Sequence, residues 1–161
     1  MPDIIIRPAA PDDIPAMARI WHDGWQDGHA ALVSADLAAV RTMQRFSERL
    51  EEALADVLVA TQDSAVAGLV MLLDDELYQF YVDGIARGTG LAAQLMHAAE
   101  AELARRGHDK VFLYCAIGND RAARFYEKCG WHRAASEEIE AADGGVSVMV
   151  PVWRYEKAVS S

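Results

Sequence analysis

Residues with chemical promise fall in two stretches. The first is VDGIARGTGLA, Val82 to Ala92, with an apolar run, LYQFYV, ending at its first residue and an amphipathic pattern, LAAQLMHAAEAELARR, leading out. A strand, a glycine-rich loop and a helix start together can hold a phosphate. Glycines let bare amides approach an anion, and the unpaired N–H groups and positive dipole end of the helix face it. Arg87 adds charge and a planar donor fork. The second stretch is GNDRAARFYEKCGW, Gly118 to Trp131. If Asn119 caps a helix there, Asn119 and Tyr126 lie about two turns apart on roughly one face.

The loop allows two phosphate readings. Gly88, Gly90 and Ala93 give G-x-G-x-x-A, a variant of the dinucleotide fingerprint. That fingerprint needs an acidic residue roughly 20 positions on, at the end of the next strand, to hold a ribose. Here that strand ends in CAIGND; Asp109 precedes it and Asp120 falls inside the following helix. A dinucleotide-binding oxidoreductase is therefore the weaker alternative. Arg87-x-x-Gly90-x-Ala92 reads instead as a pyrophosphate seat.

The elements that must position these residues follow from periodicity and turn chemistry. DIIIRPA is a first strand, and PDDIPAMARIWHDGW a helix with Ile14, Met17, Ala18 and Trp21 on one stripe. WQDGHAALVS reads as an irregular loop around Gly24 and Gly28. SADLAAVRTMQRFSERLEEAL reads as a second helix capped by Ser34 or Asp36. VLVATQD, AVAGLVMLLDDE and LYQFYV are three strands joined by turns at QDSA and DDE. A helix from about Thr89 to Arg106 buries Leu91, Leu95, Met96, Ala99 and Leu103, and Gly107 stops it. KVFLYCAI is a strand, NDRAARFYEKCG a short helix, and two strands around ADGG complete the chain. The order β, α, α, β, β, β, α, β, α, β, β predicts an α/β fold: one mixed, mostly antiparallel sheet of about seven strands with helices on both faces.

Composition narrows the class. The 161 residues suit one domain, 1–161, and are 52% apolar and 25% charged, as in a globular protein. No apolar run approaches the ~20 residues of a membrane helix, and the N-terminus lacks a signal-peptide pattern. Cys115 and Cys129 form no metal spacing or disulfide framework, which suits a reducing cytoplasm. The five histidines make no i, i+4 metal pair, so no metal is expected. A net charge of −10 argues against a nucleic-acid surface. It suits solubility, and to a lesser degree a cationic partner such as an amine.

The two motifs, in this order on these elements, resemble the GCN5-related N-acetyltransferases. VDGIARGTGLA is similar to their acyl-coenzyme A signature, R/Q-x-x-G-x-G/A, five residues past the end of a fourth strand at Val82. Asn119, Ala122, Tyr126, Gly130 and Trp131 fall at the spacings of the family's second motif. The element order is the family's, and the resemblance runs from about Ile4 to Tyr155. It departs at Gly84, where the family often has proline, and at Thr89, where it often has a basic residue.

The resemblance implies acetyl-coenzyme A as co-substrate. Backbone groups of Arg87, Gly88, Thr89, Gly90, Leu91 and Ala92 would hold its pyrophosphate. Tyr81 and Val82 would bond its pantetheine arm in a slot between splayed strands four and five, with an amide near Val82 stabilising the oxyanion. Asn119 and Ala122 would also face the cofactor, and Tyr126 would donate a hydrogen bond or proton to the leaving thiolate. Arg121, Arg124 and Lys128 either attract the adenosine 3′-phosphate or form a solvated helix face.

The acceptor side is less defined. Glu76 is a candidate base, a water chain being the alternative. Alternation places Tyr78 and Phe80 on one face, and Leu77, Gln79 and Tyr81 on the other. Trp25 and Tyr78 are candidate walls of the acceptor site; core packing is the competing role for Trp25. Neither cysteine has a neighbouring histidine in sequence, so direct transfer to a primary amine is expected over a covalent route. A non-catalytic acetyl-coenzyme A sensor is the alternative from another class. The late apolar strands suggest a homodimer.

Overall fold

The structure, a computed structural model, describes residues 1–29, 32 and 35–160. Strand β1 (Ile4–Pro8) leads through a 3-10 turn, Pro11–Asp13, into helix α1 (Ile14–Gly28). Asp13 fixes that entry. Its carboxylate accepts the Ala10 amide at 2.8 Å and two Arg7 guanidinium nitrogens at 2.7 and 2.9 Å. The hydrogen bond from Arg7 is the main reason its pKa lies below the usual range. Helices α2 (Ala35–Val40) and α3 (Met43–Ala53) follow. Next come β2 (Val57–Gln62), β3 (Ala65–Leu73), β4 (Glu76–Val82), α4 (Leu91–Arg105) and β5 (Lys110–Ala116). The chain ends with α5 (Asp120–Lys128), β6 (His132–Asp143) and β7 (Val146–Ala158).

All seven strands join one sheet, in the order β1-β2-β3-β4-β5-β7-β6. Neighbours are antiparallel except β4 and β5, which run parallel. On one face Trp21, Trp25, Leu37, Phe46 and Leu50 of α1–α3 pack on Val59, Leu69 and Met71. On the other, Leu91, Leu95, Leu103, Ala123 and Tyr126 of α4 and α5 pack on Val70, Leu72, Val111 and Leu113. Each fully buried leucine stabilises the fold by roughly 1.5–3 kcal/mol. The buried stripe of α4 is the one its periodicity predicts, with Ala104 added.

Three expectations are corrected. The single second helix is two helices, because the chain turns extended at Thr42, whose hydroxyl caps α3 by accepting the Arg45 amide at 3.1 Å; of its expected caps, Ser34 lies outside the described residues. Gly24 and Gly28 lie inside α1, not in a loop. Glycine in a helix costs about 1 kcal/mol relative to alanine, and close approach explains it here. A Cβ at Gly24 would meet Cδ1 of Tyr81 at 2.5 Å, and one at Gly28 would meet Nδ2 of Asn119 at 3.0 Å.

The third correction concerns β4. Its register against β3 runs Met71 with Gln79, then Leu72 with Leu77, which leaves Tyr78 as a bulge residue. Two consecutive residues then share a face. Leu77, Phe80 and Val82 pack toward α4 and α5, while Tyr81 packs toward α1. Tyr78 bonds Arg49 of α3, so it lies with Tyr81 and not with Phe80.

Candidate active site

Strands β4 and β5 pair in register at one point, Glu76 opposite Phe112, supported by the Phe112 amide donating to the Asp75 carbonyl at 3.2 Å. Past Glu76 no further pair joins them among the described residues. The Asp83 amide donates to Ala67 of β3 at 2.8 Å, and Tyr81 lies opposite Leu69. Alternation along a strand therefore engages the Tyr81 backbone with β3 and turns the backbone groups of Phe80 and Val82 into the slot. The backbone part expected of Tyr81 passes to Phe80. A cleft of about 1420 Å³ runs through this opening, reaching Val82, Phe125 and Tyr126 on one side and Tyr78, Tyr81 and His29 on the other.

The glycine loop forms one end of the cleft. Asp83 anchors its start, accepting the Ile85 amide at 3.3 Å and pairing with Arg19 at 2.9 Å. Gly88 and Gly90 take positive φ of 75° and 86°, which other residues adopt at a cost. A Cβ at either would meet nothing within 4 Å, so both glycines leave open space in front of the loop. The amides of Gly88, Gly90, Ala92 and Ala93 find no acceptor among the described residues.

Two expected loop contacts are corrected. The Thr89 amide donates to the Ala86 carbonyl at 3.2 Å, and its hydroxyl donates to the same oxygen at 2.6 Å. Leu91 is fully buried, and its amide meets Thr89 Oγ1 at 3.4 Å. Neither lines the cleft, whereas Arg87, Gly88, Gly90 and Ala92 do. Arg121, Arg124 and Lys128 of α5 line the same cleft. Like Arg87, these three have no acidic partner among the described residues.

Helix α5 closes the slot on the α4 side. Asn119 caps it, accepting the Ala122 amide at 3.4 Å, and lies against Gly28 of α1. Lys157 of β7 caps the other end, donating to the Cys129 carbonyl at 2.7 Å. Phe125 stacks on Phe80 with centroids 5.5 Å apart, bridging α5 to β4. The alternation expected on β4 hid this pair. Tyr126 is 9% exposed and lines the cleft, and its hydroxyl makes no hydrogen bond among the described residues. Burial raises its pKa, so it stays protonated at neutral pH. Cys115 also lines the cleft, and burial pushes its thiol up to about 12.

On the opposite side, Tyr78 is 37% exposed and lines the cleft. The Tyr81 hydroxyl lies 3.4 Å from His29 Nδ1. Burial, with the nearby Arg41 charge, lowers His29 to about 4, leaving a neutral imidazole that can accept from the phenol. Trp25 is corrected from wall to core. It is 7% exposed, lies between His29 and Phe46, and does not line the cleft. The ring beside it, His29, reaches the surface instead.

Glu76 is corrected as well. It sits at the closed end of the slot, paired with Phe112, and does not line the cleft. Burial, then the Asp75 charge, raise its pKa to about 7, while Arg154 opposes.

A family model described as an acetyltransferase (GNAT) domain matches residues 28–148. An uncharacterized N-acetyltransferase of Mycobacterium bovis is 36% identical over 107 residues, 63% of this chain and 66% of that protein. The match thus spans just under two thirds of that relative. Mycothiol acetyltransferase of Thermobispora bispora is 45% identical over 58 residues, 36% of this chain and 20% of that protein. Among solved structures, the PaiA N-acetyltransferase of Thermoplasma acidophilum, in complex with coenzyme A, superposes with a TM-score of 0.75. It is 20% identical and the alignment covers 97% of this chain and 99% of that one, a likeness of fold. The family model takes in the parted strands, the glycine loop and the capped helix α5, and the chain belongs to the GNAT acetyltransferase family.

Proposed function

We propose that this chain transfers an acetyl group from acetyl-coenzyme A directly to a primary amine in a ternary complex. The observation that carries the reading is the slot between β4 and β5, lined by loop amides, by cations and by a Tyr126 hydroxyl that have no partner among the described residues.

The residues present fit coenzyme A. The amides of Gly88, Gly90, Ala92 and Ala93, beside Arg87, suit a pyrophosphate. Arg121, Arg124 and Lys128 add local positive charge to a chain of net charge −10, which suits a further phosphate. The backbone groups of Phe80 and Val82 suit an extended amide-bearing arm, and Asn119 faces the same slot. When bound, acetyl-coenzyme A supplies an activated thioester. The Val82 amide then faces the place where negative charge develops on the acetyl oxygen. Tyr126, kept protonated by burial, donates to the departing sulfur.

Direct transfer is favoured because the Cys115 thiol, held near 12, carries almost no thiolate at neutral pH. Glu76, away from the cleft, is not assigned the role of direct base, and the proton lost by the attacking amine passes to a chain of water in the open cleft. All seven strands share one sheet, which supports one transferase domain over 1–161. The free thiols Cys115 and Cys129 support a cytoplasmic setting. Exposed Met149 on β7 supports a homodimer through the late strands, which a monomeric mass by light scattering would remove.

The central test is calorimetric titration with acetyl-coenzyme A and with NAD(P), joined to an amine panel read by free-thiol release. Acetyl-coenzyme A should bind and at least one amine should release thiol. Binding of NAD(P) alone would overturn the assignment.

A further inference from the structure

The cations sort by partner and by place. Arg49, Arg87, Arg121, Arg124 and Lys128 have no acidic partner among the described residues. Arg87, Arg121, Arg124 and Lys128 line the cleft. Arg49 stands apart, on α3 at the opposite face of the sheet. Its guanidinium lies 4.6 Å from the ring centroid of buried Trp21, and Nη2 donates to the Tyr78 hydroxyl at 3.0 Å. Both partners are neutral, so the charge is positioned but not balanced.

Arg41 adds to the imbalance. Its side chain is 11% exposed, and its Nε is buried with no acceptor among the described residues. Its carboxylate partner, Asp143, stands 3.4 Å away and is shared with Arg45, which holds it at 2.6 Å and also meets Glu48 at 3.8 Å. Burial and the Arg49 charge both lower the Arg41 pKa, and both guanidiniums bear on Tyr81. Asp143 is shared by Arg41 and Arg45 and does not pair with Arg49; Arg41 and Arg49 stand behind Tyr78 and Tyr81, which line the cleft where the two arginines do not. A half-buried excess of positive charge is costly unless an anion offsets it.

We propose that Arg49, backed by Arg41, binds a carboxylate on the acceptor, so that the acceptor is a small amine carrying its own carboxylate, an amino acid. This rests on the transferase reading above. The planar guanidinium fork matches a carboxylate in two parallel hydrogen bonds. Its place also matches. Tyr78, to which Arg49 is bonded, is the bulge residue of β4 against β3, two positions past the pairing of β4 with β5 at Glu76. A carboxylate held there leaves the amine of the same molecule free to enter the slot from the side opposite α4 and α5.

The test uses the full chain, acetyl-coenzyme A and a panel in which each amino acid is paired with its decarboxylated amine and its carboxamide. The carboxylate member should be preferred about tenfold to a hundredfold in kcat/KM, as for a charged hydrogen bond. Arg49→Gln should raise the acceptor KM and bring that ratio toward one, with the acetyl-coenzyme A KM unchanged. Arg49→Lys should recover part of the preference. Equal rates within the pairs, or an undiminished preference in Arg49→Gln, would overturn the inference and leave the transferase reading standing. Acetyl-coenzyme A binding with no transfer to any amine would overturn both.

Discussion

A methyl group on Gly24 would sit 2.5 Å from Cδ1 of Tyr81, so α1 and β4 meet ring against backbone. The ring has little room to retreat. Trp21 lies on one side at a centroid distance of 6.4 Å, and His29 on another at 6.2 Å. Gly24→Ala gains about 1 kcal/mol of helix propensity and loses roughly 1–3 kcal/mol to overpacking. We expect a lowered thermal midpoint and a raised acceptor KM, because Tyr81 lines the cleft. A raised midpoint would show that the ring moves aside freely.

Gly90 separates binding from folding. Its φ of 86° is strained for any other residue, yet a Cβ there meets nothing within 4 Å. Gly90→Glu should therefore cost about 1–2 kcal/mol of stability while placing a carboxylate where the loop amides face an anion. Calorimetry should show acetyl-coenzyme A binding lost in a protein that still melts cooperatively. Unchanged affinity would remove the loop from the site.

Tyr126 tests the chemistry. A general acid typically contributes between about a hundredfold and ten-thousandfold, but a thiolate is already a good leaving group. Tyr126→Phe should lower kcat by roughly tenfold to a hundredfold and leave the acetyl-coenzyme A KM within about threefold. The hydroxyl makes no hydrogen bond among the described residues, so its removal should not change the melting temperature. An unaltered kcat would return Tyr126 to packing.

What the sequence showed follows from how local each signal is. The stripe of α4, the Asn119 cap and the glycine loop are set within a turn or two, and the structure has them where periodicity puts them. Gly24 and Gly28 were read as loop residues because their reason lies in Tyr81 and Asn119, distant in sequence. The face of Tyr78 was misread because a bulge is a property of the pairing between β3 and β4. Trp25 belongs to the core for a related reason, since α1 continues through Gly28 and its face is fixed by packing on α3. Charge balance was hidden as well. Composition gives the total, and only the fold shows that Arg49 stands without an acidic partner among the described residues.

Glu76 provides a prediction in stability alone, independent of any substrate. Burial raises its pKa from an ordinary 4.5 to about 7. Between those values the native protein holds a proton that the unfolded chain has released, so stability falls as pH rises through this window and levels off above it. Each unit is worth about 1.36 kcal/mol; allowing for solvent at this half-buried side chain, the total is on the order of 2 kcal/mol. Asp13 and Asp83, whose values are lowered, and Glu102, lowered to about 2, act with the opposite sign. Their stabilisation is complete once pH exceeds the ordinary carboxylate range, so the two effects separate. Glu76→Gln should be more stable than the parent at pH 8 and close to it at pH 5. Urea titration at the two values reads the difference. Parallel pH profiles for parent and variant would show that Glu76 ionises without cost and that its side chain reaches water.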